Sequence, residues 1–413
     1  MAPRGRAQRV TVSAMVSRLM MPRSAGIAAL FALLAGCTPA PQTAPSNGPA
    51  ASGDPTSWAV PSGPGAAMTP VRFDALSGWA QERHAQAIPA FLASCKQFSA
   101  NPTQALGGSG DAVARGGTGA QWRSVCAAAR AIPPGEDAAA RAFFEANFQP
   151  YGLSSDGSAT GLFTGYYEPE IRGSRTQSGV YKYPLYRRPP ELGASARRAP
   201  YLSRAQIEAG GLRKKGLEML WLADPIDAFF LHIQGSGRVM LPDKRTVRVS
   251  YDGQNGQAYV PIGRVLVDRG EMKLEEVSMQ SIRAWLVAHP REASGLMNQN
   301  PSYVFFRELG GMSADAGPPG ALGVPLSPLR SAAVDKGFIP LGAPLWVETK
   351  DPLDSTNIQR LVMAHDLGGA IKGAIRTDLF FGWGRDAEER AGRMRQPGRE
   401  FILLPKAALT AAQ

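Results

Sequence analysis

The sequence predicts a mainly β protein, a barrel or sandwich with helices ahead of it. From about residue 161 onward, short runs rich in Val, Ile, Tyr, Phe and Trp recur between Gly, Pro and Asp-Gly, the pattern of short strands joined by tight turns. Before that point apolar residues fall at helical spacing: Leu76, Trp79, Ala80, Ile88, Phe91 and Leu92. No tandem repeat of solenoid period interrupts either part. At 413 residues and 44% apolar, the chain can bury a sizeable core and hold two domains.

The first element is a leader. Arg18 and Arg23 precede an apolar run over 25–34, and Leu34-Ala35-Gly36-Cys37 follows, the order of a bacterial signal peptide. That tetrapeptide resembles a lipobox, which implies removal of residues 1–36 and acylation of Cys37 as a membrane anchor. A plain secretion signal and a short membrane anchor are the alternatives, and the run is short for a bilayer span. Thr38, where an aspartate would signal retention, is consistent in lipoproteins with passage to the outer membrane, so the expected location is its periplasmic face. Residues 37–70, rich in Pro, Gly, Ser and Ala, read as a flexible linker.

Helices are then expected over 73–98, 121–132 and 136–148, with a glycine-rich loop over 107–119. Cys95 and Cys126 lie in the first two, in a compartment where disulfides persist. A bridge between packed helices and two buried thiols are both compatible with that placement. Strands are expected at 162–168, 228–234, 239–241, 246–251, 257–260, 303–307, 344–348, 359–365, 374–380 and 400–404. Two helices interrupt them, one from Ser203 with Gln206 in capping-box spacing and one over 274–289.

The formal charge of +11 comes partly from the leader: without its five arginines, 40 basic residues face 34 acidic ones, about +6. No basic run is interleaved with aromatics, so nucleic acid is not an expected partner, although a mild positive field suits an anionic polymer. The histidines, His84, His232, His289 and His365, show no metal-ligand spacing. There is no G-x-S-x-G elbow, and Gly235-Ser236-Gly237 lacks the GK[ST] of a phosphate loop. No cofactor or metal is implied.

A carboxylate arrangement remains. One β run ends at Asp366, a glycine-dense turn follows, and a second β run ends at Asp378, so both carboxyls could lie at neighbouring strand ends. A carboxyl near another and shielded from water keeps its proton towards neutrality, as an acid acting on a glycosidic oxygen must. Aspartates that only cap turns would give the same pattern.

Five motifs give this arrangement a context: Gly165-Tyr166-Tyr167-Glu168-Pro169, the stretch Phe230-Leu231-His232-Ile233-Gln234-Gly235-Ser236-Gly237, Tyr251-Asp252-Gly253-Gln254-Asn255-Gly256, Asn300-Pro301-Ser302-Tyr303-Val304-Phe305-Phe306, and the aspartate stretch itself. In this order they resemble the membrane-bound lytic murein transglycosylase A (MltA) family, and the part containing Asp335, Asp366 and Asp378 resembles its three-aspartate domain. The resemblance implies a double-psi β-barrel with a second, smaller β-barrel inserted and N-terminal helices. The division would be helices and the first part of the barrel over 71–171, the insert over 172–310 and the rest of the barrel over 311–408.

It also implies cleavage of the β-1,4 bond between N-acetylmuramic acid and N-acetylglucosamine in peptidoglycan, leaving a 1,6-anhydro end, in exo or endo mode, in cell-wall turnover. Asp378 would be the catalytic acid and base, with Asp366 and Asp335 in support. Sugar contacts are expected from Tyr166, Tyr167, Gln234, Gly235, Ser236, Asp252, Gln254, Asn255 and Asp335. Cell-wall synthesis or divisome proteins are candidate partners. A glycoside hydrolase on the same barrel, with Asp366 as base, and a non-catalytic glycan-binding lipoprotein are the competing readings. Glu168, just before a proline, fits lining a groove and closing a strand end equally well and is not named as an acid.

Overall fold

The structure is a computed structural model that describes residues 66–103, 106, 116–193, 200–313 and 315–406. The leader, Cys37 and most of the linker lie outside the described residues. In the last residues assigned to the linker, Ala66–Pro70 forms strand β1, antiparallel to β2 (Phe148–Ser155).

Six strands close a barrel: β3 (Gly161–Glu168), β10 (Ser331–Val334), β11 (Pro344–Lys350), β12 (Asn357–Leu367), β13 (Arg376–Trp383) and β14 (Arg395–Pro405). The ladder runs β14-β11-β12-β10-β13-β3, and β3 pairs back onto β14. Large apolar side chains on its strands are buried, Phe163, Trp346, Phe380 and Phe401 among the largest of them. Each contributes roughly 1.5–3 kcal/mol by leaving water. Helices α1 (Ile88–Ala100), α2 (Arg123–Arg130) and α3 (Asp137–Asn147) pack onto the same core, with the Phe91 ring within 6.4 Å of the Trp122, Phe144 and Phe148 rings. Cys95 and Cys126 form a disulfide joining α1 to α2, the bridge of the two arrangements left open by sequence. The expected helix over 73–98 is instead a series of 3-10 turns before α1.

The second sheet takes β4 (Glu170–Ser174), β5 (Tyr183–Tyr186), β6 (Glu218–Leu222), β7 (Ser236–Met240), β8 (Thr246–Gln254) and β9 (Val304–Leu309), in the order β5-β6-β4-β7-β8-β9. Two expectations fail here. Residues 228–234 are not a strand but the body of helix α4 (Pro225–Gln234): Asp224 caps its amides, Pro225 opens it, and Gly235 closes it at φ 77°. Residues 257–260 are irregular, leading into α5 (Ile262–Asp268). Ser203 and Gln206 form the expected reciprocal capping box. Helices α6 (Met279–Ala288) and α7 (Pro290–Met297) complete this part, and α8 (Gly384–Arg393) packs against β3 and β13.

Candidate active site

Strand register builds the site. Ala333 of β10 is paired with Asp378 of β13 on one side and with Asp366 of β12 on the other. Neighbouring strands lie about 4.8 Å apart, so the two aspartates sit across one small residue at a backbone separation of about 10 Å. That alignment depends on a β-bulge. Ala332 pairs with Ala364 but Ala333 with Asp366, leaving His365 as an extra residue. Without it Ala333 would face His365, and Asp366 would fall one position out of the row.

Asp378 keeps part of its surface open to solvent. Its Oδ1 accepts from Thr164 Oγ1 at 2.6 Å, and that hydroxyl in turn accepts from Arg376 at 2.9 Å. Among the described residues no other side chain or amide donates to Asp378. Burial raises its pKa, against the lowering effects of the Thr164 hydrogen bond and the Arg376 charge. Asp366 is used on both oxygens, Oδ2 accepting from Tyr166 Oη at 3.0 Å and Oδ1 from the Ala321 amide at 2.8 Å. Its pKa is pushed up to about 6, by burial first; its hydrogen bonds work against that rise and the Asp378 charge adds to it. The Tyr166 ring packs on Phe380, 5.2 Å between centroids.

Asp335 holds the glycine-dense turn between the aspartates, its Oδ1 accepting from the Gly337 amide at 2.9 Å and Oδ2 from the Gly373 amide at 3.0 Å. Gly165 is needed for packing rather than for a turn: a Cβ there would come 2.8 Å from the Ala391 backbone of α8. Among the described residues no group of three or more His, Cys, Asp or Glu is placed to hold a metal ion.

Comparison with known proteins fits this geometry. The chain matches the MltA specific insert domain over residues 162–307 and the 3D domain over residues 330–404. It is similar to a membrane-bound lytic murein transglycosylase of Agrobacterium tumefaciens, a crystal structure, at 34% identity and a TM-score of 0.73, covering 84% of this chain and 99% of that one. The chain belongs to the MltA family. Membrane-bound lytic murein transglycosylase A of Escherichia coli K12 is 41% identical over 250 residues, 58% of this chain and 65% of that relative, so the match spans just under two thirds of it. The crystal structure of E. coli MltA with bound chitohexaose is 31% identical with a TM-score of 0.61, covering 84% and 93% of the two chains.

The other predicted residues of this MltA-family chain are spread over several environments. Tyr167 is buried, its Oη 3.2 Å from Glu388, and its amide donates to Gln234 Oε1 at 3.1 Å, which ties α4 to β3. Asn255 is buried, with its amide nitrogen on the Leu202 and Pro301 carbonyls and its oxygen accepting from the Tyr303 amide. Its polar atoms are committed to the backbone, so it shapes a loop. Ser236 is buried at the start of β7, Gly235 closes α4, Asp252 is 3.4 Å from Arg188, and Gln254 is exposed at the end of β8.

Sequence reading missed Thr164, Arg376 and Tyr259. Thr164 adjoins a motif and Arg376 lies within the aspartate stretch, but neither carries a signal of its own; only the pairing of Asp378 with Thr164 reveals them. Tyr259 is 41% exposed on the loop after Asn255. Its pKa is raised by desolvation of the hydroxyl and then by the Asp378 charge.

Proposed function

We propose that this MltA-family chain is a lytic transglycosylase acting on peptidoglycan, with Asp378 as the single acid and base. One observation carries the choice of acid: Asp378 has an oxygen that no described protein group engages, while both oxygens of Asp366 are occupied. The raised pKa of Asp378 favours the protonated form an acid needs.

In the proposed reaction Asp378 gives its proton to the bridging oxygen, and the bond from C1 to that oxygen breaks with positive charge developing on the muramic ring. The 6-hydroxyl of the same ring then attacks C1 and returns its proton to Asp378, closing the 1,6-anhydro bond. The nucleophile is already tethered, so no second carboxylate has to activate water. Thr164, itself held by Arg376, fixes the Asp378 carboxyl. Asp366, ionised above about pH 6, supplies negative charge close to the developing cation.

The competing hydrolase reading would use Asp366 as base, since a pKa pushed up by burial only to about 6 leaves that carboxyl ionised at neutral pH. The bound chitohexaose of the E. coli relative supports a β-1,4-linked amino-sugar polymer as the class of substrate. We assign sugar contacts to Tyr166, the Gly235-Ser236 turn, Asp252 and Gln254, add Tyr259, and assign scaffolding to Tyr167, Gln234, Asn255 and Asp335. We read the closed barrel as the family's double-psi barrel, supported by its parallel pairs β10–β12 and β13–β3 among antiparallel ones, and residues 172–310 as the inserted smaller barrel. The anchor is acylated Cys37 on the periplasmic face of the outer membrane; the names of the relatives include the word membrane-bound, and no described helix is long and apolar enough to cross a membrane. Exo or endo cutting and contact with cell-wall synthesis or divisome proteins belong to the same proposal.

Incubation with sedimented peptidoglycan tests the reading. The parent should solubilise it in the presence of a chelator, and Asp378→Asn should bind the sediment without solubilising it. Binding without solubilisation by the parent itself would leave only the glycan-binding lipoprotein.

A further inference from the structure

The bulge that aligns the two aspartates is held by a buried imidazole. His365 is fully buried, its Nε2 2.9 Å from Ser94 Oγ on α1 and its Nδ1 2.9 Å from Ser331 Oγ on β10. Burial lowers its pKa to about 3, so the ring is neutral and offers one donor and one acceptor, each facing a hydroxyl. Ser331 Oγ also accepts from the Ser327 amide at 2.9 Å. The His365 carbonyl accepts from the Leu322 amide at 2.9 Å, next to Ala321, whose amide donates to Asp366. A Cβ on Gly320 would lie 2.5 Å from that carbonyl, so the segment reaches Asp366 only because residue 320 is glycine.

Both neighbours of Asp366 are therefore organised by one residue: the strand through the imidazole and the donor loop through the carbonyl. A one-residue slip in a strand turns each side chain to the opposite face, so losing this bulge would take Asp366 out of the row shared with Asp378.

We infer that His365 is a positioning residue for the carboxylate pair, locking the bulge between Ser94 and Ser331 and making helix α1 part of the active-site scaffold. The N-terminal helices thereby acquire a role in the reaction. Ser94 precedes Cys95, so the disulfide to α2 lies one residue from the hydroxyl that holds the ring.

The inference rests on the reading of Asp378 and Asp366 as the reacting pair, and two readouts keep them separable. The full chain is made as parent, His365→Leu and Ser94→Ala. Each is assayed for kcat and KM on peptidoglycan, and carbon-13 NMR of labelled aspartate carboxyls follows the titration of Asp366, assigned by its loss in Asp366→Asn. For His365→Leu the expected result is a kcat at least about tenfold lower, the scale of loss from sub-ångström to ångström misplacement, with KM within about twofold. The Asp366 midpoint should fall towards the ordinary carboxylate range as the group turns away from Tyr166, the Ala321 amide and Asp378 into water. Ser94→Ala should move both readouts the same way by less.

Parent-like kcat together with a parent-like Asp366 midpoint in both variants would overturn the inference. If His365→Leu does not fold, Ser94→Ala decides on the same readouts. If the parent releases no product, the proposed reaction fails, and the NMR midpoint alone still decides whether His365 positions Asp366.

Discussion

Asp378 and Asp366 share a row of the barrel but spend their oxygens differently, and that sets what each can do. In the proposed reaction Asp378 must hold a proton at the start, so kcat/KM should fall as pH rises through its elevated pKa, and a profile that shows no fall on the alkaline side would contradict this. A third carboxyl lies inside the barrel. Glu400 is buried, accepts from Thr377 Oγ1 at 2.8 Å, has no partner for Oε1 among the described residues, and has its pKa pushed up to about 7 by burial. A raised folded-state pKa stabilises the fold most below the unfolded value, and that contribution is lost as pH rises through 7. Glu400→Gln should therefore raise the melting temperature at pH 8 by the equivalent of roughly 2–3 kcal/mol, since each tenfold change in proton affinity is worth about 1.4 kcal/mol. The gain should vanish below about pH 4.5, near the unfolded carboxyl's own pKa; an equal gain at both pH values would mean that charge is not its cause. At this scale the sequence was informative about Asp366, which lies one residue from the end of β12, but Asp378 sits near the start of β13 and not at the end of a run, and β10 separates the two strands. Thr164 and the free oxygen of Asp378 depend on pairing over more than 200 residues, which no local pattern encodes.

At the scale of elements, Glu168 joins the two sheets. It lies at the end of β3, 2.9 Å from Arg238 of β7 and 2.8 Å from Arg248 of β8, all three buried, and Arg238 also stacks 4.2 Å from the Trp383 ring of β13. Removing one partner of a buried ion cluster costs about 3–5 kcal/mol because the remaining charges are stranded. Glu168→Gln should thus lower the melting temperature while costing far less turnover than Asp378→Asn, and equal losses of turnover would show that the assignment of the acid is incomplete. The strand-end reading of Glu168 was available from the proline that follows it, but its arginines were not. Helix α4 was legible and was misread: the apolar run from 228 to 234 resembles a buried strand, whereas Asp224, Pro225 and Gly235 mark the two ends of a helix. Apolar content alone does not separate a buried strand from a buried helix, and the end signals do.

In the whole molecule, barrel closure brings chain segments from either side of the second sheet together, β3 from before it and β10 to β14 from after it. The β character of this region was readable from the short apolar runs. The order of strands was not, because register and crossovers are set by long-range packing. The helices before β2, expected only as elements ahead of the barrel, complete the core and are cross-linked through Cys95 and Cys126. Closing a loop of this length stabilises by about 3–4 kcal/mol in the chain-entropy view, so Cys95→Ala with Cys126→Ala should lower the melting temperature by several degrees. A double variant melting as the parent does would show that core packing alone holds α1.

The chemistry of the released sugar separates transglycosylation from hydrolysis. Mass spectrometry of the soluble products from purified peptidoglycan, treated with the parent and with Asp378→Asn, reads that chemistry. Muropeptides ending in 1,6-anhydro-muramic acid from the parent and none from the variant are the predicted result. Reducing-end products, heavier by one water, would contradict it and make Asp366 the base of a hydrolase.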